Sequence, residues 1–197
     1  MKKQRGTFAA DPRLIINIFM DIRRMLPLAV PLVQVWVGSQ RKQHRFSGNA
    51  RPLNDTEHEV FSPFFSSGVL EKTSLSEVAE LSNPWFYPAL RRFGIEPPLD
   101  ISYAGGITFD DTIVIARHGQ VPVRDWHPLL FHELVHVVQY TTLGRNAFID
   151  RYLRCLVATG MDYHQNPFER QAYALQNRFE SAPHIAFSVE AEVRNFE

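Results

Sequence analysis

The chain has 197 residues, enough for one domain with a substantial core or for one domain and an arm. Hydrophobic residues make up 45% and charged residues 21%, with 15 Phe, 6 Tyr and 3 Trp, which excludes a chain disordered throughout. Formal net charge is zero, which argues against nucleic acid as the partner, and Cys155 as the only cysteine excludes an intramolecular disulfide framework.

Charge is uneven along the chain. Residues 1–51 carry ten Lys or Arg against Asp11 and Asp21, and the remainder is acidic to the same extent. Such asymmetry suits a basic arm packed on an acidic body, or attachment to an anionic surface. Residues 14–20 are apolar, and a second apolar run over 26–37 contains Pro27 and Pro31. Neither run reaches the roughly twenty apolar residues that cross a bilayer. The charged break at 21–24 falls where a signal peptide would stay apolar. The pattern predicts a helix over about 12–25, with Asp11 as cap and Pro12 in the first turn, then an extended or kinked segment. Residues 39–54 read as a linker or long loop, which sets an arm at 1–51 and a compact domain at 52–197. The expected location is cytoplasmic, with peripheral membrane contact through the arm as the alternative.

In the body, Asn54 or Asp55 caps a short helix reaching about residue 65. Residues 69–82 carry two signals, a capping box at Ser74 and Glu77 and a twisted-strand pattern. A short helix over 85–93 is expected to end at Gly94. Residues 107–116 form two β-rich runs split by Asp110 and Asp111, which predicts a hairpin. A helix then starts between Asp125 and Pro128 and ends at Gly144. A second runs over about 146–159, closed by Gly160, and a third begins at Asn166 and Pro167. Cys155 reads as a small core residue.

The helix over 128–143 carries His132-Glu133-x-x-His136. Four residues advance slightly more than one helical turn, so both imidazoles project from one face and can grip one ion. Glu133 sits beside the first of them, placed to take a proton from an attacking water. The plain structural alternative is a pair of satisfied core imidazoles beside a surface carboxylate. Every polar atom on so apolar a helix needs a partner, and a metal provides it directly. A catalytic zinc takes three protein ligands. Downstream candidates are Asp150, Asp162, His164 and Glu169, because Gln139 and Thr142 stand where a metzincin has its Gly and third His. Glu169 is preferred, since a rigid helix presents it and the small Ala172 lets a neighbouring helix approach. Its alternative role is a carboxylate at a helix N-terminus.

With these residues the chain resembles the gluzincins, zinc peptidases with His-Glu-x-x-His on one helix and a ligand Glu on another. The similarity is to small bacterial domains of this kind, covers about residues 100–180, and rests on residues 132–139 and 166–173. It implies an α+β, minimal zincin-like domain: a small antiparallel sheet or hairpin upstream of the metal helix, and further helices after it. It implies a Zn2+ cofactor on His132, His136 and Glu169, and a peptide or protein substrate. Zinc would polarise the scissile carbonyl and lower the pKa of a water towards roughly 7. Glu133 would accept the proton and pass it to the leaving amine. The strand Thr112–Ala116 would line the cleft and pair with extended substrate. Better-studied gluzincins often carry an acid where this chain has Tyr173, so another group must support the zinc imidazoles: Asp150, Asp162 or the Tyr173 hydroxyl. Tyr163, His164 and Tyr173 are the candidates for steadying an oxyanion. The rival reading is a zinc-containing binding or assembly module without catalysis, attached to a membrane surface through the arm.

Overall fold

In the computed structural model the chain is described over residues 12–92, 97, 99–117 and 126–195. The expected cap at Asp11, helix end at Gly94 and helix start at Asp125 lie outside these residues. The fold is α+β. Its sheet comprises β1 (Ala50–Pro52), β2 (Ser74–Val78), β3 (Gly106–Phe109) and β4 (Thr112–Ala116), in the order β1-β2-β4-β3. Among the described residues there are eight helices: α1 (Pro12–Arg45), α2 (Asp55–Phe61), α3 (Ser67–Lys72), α4 (Tyr87–Arg92), α5 (His127–Leu143), α6 (Arg145–Ala158), α7 (Pro167–Ser181) and α8 (Val189–Arg194).

Successive side chains of a strand point to opposite sides, so the sheet divides the core in two. Ile113 and Ile115 join one cluster with α5, α7, α8 and the phenylalanines of residues 61–65. Phe109, Val114 and Ala116 join the other, with Trp36 and Val37 of α1 and Phe148 and Ile149 of α6. The layers are therefore α1, sheet and α5. The rings of Phe131 and Phe179 stack at 4.6 Å and pin α5 to α7. That contact brings the His-bearing helix alongside the helix that begins just before Glu169.

The expected hairpin is present as β3 and β4, joined at Asp110, whose φ of 64° an Asp tolerates. The sheet as a whole is mixed, which corrects the antiparallel expectation. β1 and β3 are antiparallel to their neighbours, but β2 runs parallel to β4 with Leu75 opposite Ile113. Of the two signals in residues 69–82 the strand is the one present, as β2, which follows directly after helix α3. Ser74 is not a helix cap: its N–H donates to Asp111 O at 2.9 Å.

α1 extends the short helix predicted over 12–25 through the expected extended segment and into the expected linker as far as Arg45, and β1 takes residues 50–52 of that linker. It runs through Pro27 and Pro31, although an interior proline costs roughly 3 kcal/mol of helix stability. Both prolines lie on the exposed side, where water can hydrate the carbonyls they leave unpaired. Burial of Val30, Trp36 and Val37 on the other side offsets the rest. Arg41 and Arg45, read as loop charges, lie on the last turns and bind Asp111 of the hairpin turn. The boundary expected at residue 52 falls at the end of β1, which pairs with β2.

Candidate metal centre

Every residue of α5 from 130 to 140 is buried, so the helix has no polar face to spare for solvent. It ends at Gly144, whose φ of 79° is accessible to glycine without strain. α7 starts at Asn166, whose side chain accepts from Phe168 N–H at 3.2 Å and donates to Tyr152 O at 3.2 Å. The bond to Tyr152 ties the start of α7 to α6, and the bond from Phe168 caps the turn that presents Glu169.

His132, His136 and Glu169 come together inside the protein. The two Nε2 atoms stand 3.1 Å apart, and Glu169 Oε2 lies 3.3 Å from His132 Nε2 and 3.5 Å from His136 Nε2. Glu169 is 3% exposed, and its Oε2 has no hydrogen-bond partner. Its Oε1 accepts from the Tyr152 hydroxyl at 2.7 Å. Burial alone would raise the Glu169 pKa, but the charge of His136 and the polar groups of His132, His136 and Tyr163 beside it carry it well below the usual carboxylate range. Burial pushes His136 down, and the Glu169 carboxylate overcomes this and holds it at about 9.

The outer nitrogens of both imidazoles are fixed by glutamines. Gln139 Nε2 donates to Phe168 O at 3.1 Å, and a carbonyl can only accept, so Gln139 Oε1 must face His136 Nδ1, 2.8 Å away. Gln176 Nε2 donates to the Glu180 carboxylate at 2.7 Å, so its Oε1 faces His132 Nδ1 at 3.1 Å. Both Nδ1 atoms therefore carry protons, and both Nε2 atoms turn towards Glu169. Three lone-pair-bearing atoms facing one another in a dry site repel unless a cation stands between them. A proton on His136 is one answer; a metal ion is the other. Among the described residues this is the one group of three such side chains close enough to hold a metal.

Glu133 points to the opposite neighbour, the sheet. It is 4% exposed, and the Thr108 hydroxyl lies 2.7 Å from its Oε2 and 3.0 Å from its backbone carbonyl. A single hydroxyl proton serves both acceptors. Gly106, two residues earlier on the same face of β3, gives the carboxylate room: a Cβ there would sit 2.9 Å from Glu133 Oε1.

The other sequence candidates stand elsewhere. Asp150 pairs with Arg154 at 2.8 Å on the surface of α6. Asp162 caps a short 3-10 turn by accepting from His164 N–H at 3.0 Å, and His164 is exposed. The Tyr173 ring lies against His132 with centroids 4.5 Å apart, and the Tyr163 ring lies edge-on to Tyr173 at 6.4 Å. The strand Thr112–Ala116 has no free edge, because β2 and β3 flank it; β3 is the edge strand beside Glu133. Sequence reasoning missed Gln139, Gln176 and Tyr152. Gln139 at three residues after His136 and Gln176 at seven after Glu169 carried a helical-spacing signal. Tyr152, on a third helix, carried none.

No protein-family model, curated protein or solved structure matches the chain. The chemistry of the centre is read from its own geometry.

Proposed function

We propose that the chain is a zinc-dependent hydrolase of peptide bonds, of the gluzincin kind, with zinc held by His132, His136 and Glu169. The observation that carries this reading is the buried Glu169 Oε2, which has no hydrogen bond and faces two imidazole nitrogens. A tetrahedral ion with bonds of about 2.0–2.2 Å needs donors about 3.3–3.6 Å apart. The 3.3 and 3.5 Å separations from Glu169 Oε2 fall in that range, and the 3.1 Å between the two imidazole nitrogens lies just below it. Two imidazoles and one carboxylate form a donor set that zinc accepts, with a fourth position left for substrate.

When bound, zinc supplies a Lewis acid for the carbonyl and a lowered water pKa. The chain's residues do the rest. Glu133 takes the proton of the attacking water and delivers it to the leaving amine. Thr108 keeps that carboxylate in position, and Gly106 leaves space for it. Gln139 and Gln176 hold the imidazoles with their Nε2 lone pairs turned inward. The open edge of β3, in place of Thr112–Ala116, offers backbone hydrogen bonds to an extended peptide.

The test is digestion of a broad peptide library by the zinc-loaded full chain, read by mass spectrometry beside Glu133→Gln. Cleavage by the parent, with zinc retained and cleavage lost in the variant, is the expected result. Equal cleavage by both, or none by a fully loaded parent, contradicts the reading.

A further inference from the structure

The outward face of α1 is apolar where a surface helix is ordinarily polar. Leu28, Leu32 and Val35 follow one another at four and three residues, along one stripe, and are 69%, 38% and 63% exposed. Arg24 and Lys42, both exposed, continue the same stripe at its two ends. Val30, Trp36 and Val37, which project from the other side, are buried against the sheet and α6. From Arg24 to Lys42 the stripe runs about 27 Å. Among the described residues no helix is long and apolar enough to cross a membrane.

Charge decides which partner. A second copy packed antiparallel along the stripe would set Arg24 against Lys42. Packed parallel, it would set each against itself. Both arrangements oppose like charges. A bilayer with anionic headgroups accommodates the stripe completely: phosphates and carboxylates meet Arg24 and Lys42, and the three aliphatic side chains enter the headgroup boundary between them. Arg23, exposed beside Arg24, adds to the same attraction, whereas Arg41, Arg45 and Arg51 are already paired with carboxylates of the body.

We propose that the outward face of α1 docks the protein on an anionic lipid surface, with the helix lying in the plane of the interface. The sheet stands between α1 and α5, so the His132–His136–Glu169 centre stays on the side away from the lipid. The docking is independent of the metal chemistry.

The experiment is co-sedimentation of the full chain with vesicles of phosphatidylcholine alone or of an equal mixture with phosphatidylserine. The parent should bind the mixed vesicles and not the neutral ones, and binding should weaken as salt rises. Leu28→Asp with Val35→Asp should abolish binding while far-ultraviolet circular dichroism stays unchanged, since both side chains are exposed. Lys42→Ala should weaken binding about fivefold. Equal binding to both vesicles, no binding to either, or binding indifferent to these substitutions overturns the proposal. So does a concentration-dependent dimer of the parent in sedimentation velocity that Val35→Asp dissolves, which would assign the stripe to a second copy.

Discussion

Two ionic clusters flank the sheet, and they are built on opposite principles. At the β3–β4 turn, Arg41 donates to Asp111 through Nε at 2.7 Å and Nη2 at 2.6 Å, and Arg45 Nη1 reaches Asp111 at 3.1 Å and donates to Lys72 O at 3.1 Å. Donors meet acceptors, so that cluster is closed, and its residues remain partly exposed. Across the sheet, two imidazole Nε2 atoms and a carboxylate oxygen converge in a site that is nearly dry, and the carboxylate oxygen has no hydrogen-bond partner. The first cluster clamps α1 to the hairpin and asks for nothing further. The second leaves an acceptor oxygen over, which a proton on His136 or a metal ion would satisfy. Stoichiometry of donors and acceptors, more than the number of charges, separates a structural ion pair from a binding centre.

The comparison is broken most forcefully at the ligands. His136→Ala should abolish metal uptake, and Glu169→Ala should weaken it by orders of magnitude while circular dichroism reports an intact fold; calorimetric titration with zinc measures both. Unchanged affinity in Glu169→Ala would reduce Glu169 to a carboxylate at a helix N-terminus. Next, Gln139→Ala should weaken metal binding about 10–100-fold, because the His136 ring loses the acceptor that orients it.

A proton on His136 would stand where the proposed metal binds, which gives a pH test. In the metal-free protein His136 has a folded pKa of about 9, above the ordinary 6.5, so its contribution to stability is complete below 6.5 and lost as pH rises through 9. Glu169, held below the ordinary 4.5, contributes fully above that value and loses its contribution on acidification. Thermal denaturation of the metal-free chain should therefore show this pair stabilising most between 4.5 and 6.5 and progressively less towards 9. Zinc affinity should rise with pH over the range in which His136 loses its proton. Affinity falling over that range would mean that His136 is not a ligand.

Smaller effects belong to the supporting shell and the clamp. Gly106→Ala places a methyl 2.9 Å from Glu133 Oε1 and 3.1 Å from Ile115 Cδ1. It should cost about 1–3 kcal/mol of stability. It should also lower hydrolysis and leave zinc stoichiometry alone. Arg41→Ala should cost about 1 kcal/mol in chemical denaturation, since the pair is partly exposed, with metal binding unchanged.

What the sequence made legible follows from range. The spacing of His132 and His136, the Asn166–Pro167 helix start that presents Glu169, and the hairpin over 107–116 are local patterns, each written within about ten residues. The parallel pairing of β2 with β4 and the passage of α1 through Pro27 and Pro31 depend on partners far along the chain. Val30, Trp36 and Val37 decide the second by burial, which overrides the local cost of proline. Tyr152 joins the centre only because Asn166 ties α7 to α6.

The central claim is that the converging atoms of His132, His136 and Glu169 hold a single zinc ion. Anomalous diffraction at the zinc edge from crystals of the zinc-loaded full chain tests it directly. One peak per chain is expected, at about 2.0–2.2 Å from His132 Nε2, His136 Nε2 and Glu169 Oε2. A peak held by other side chains, or no peak there at full loading, would contradict it.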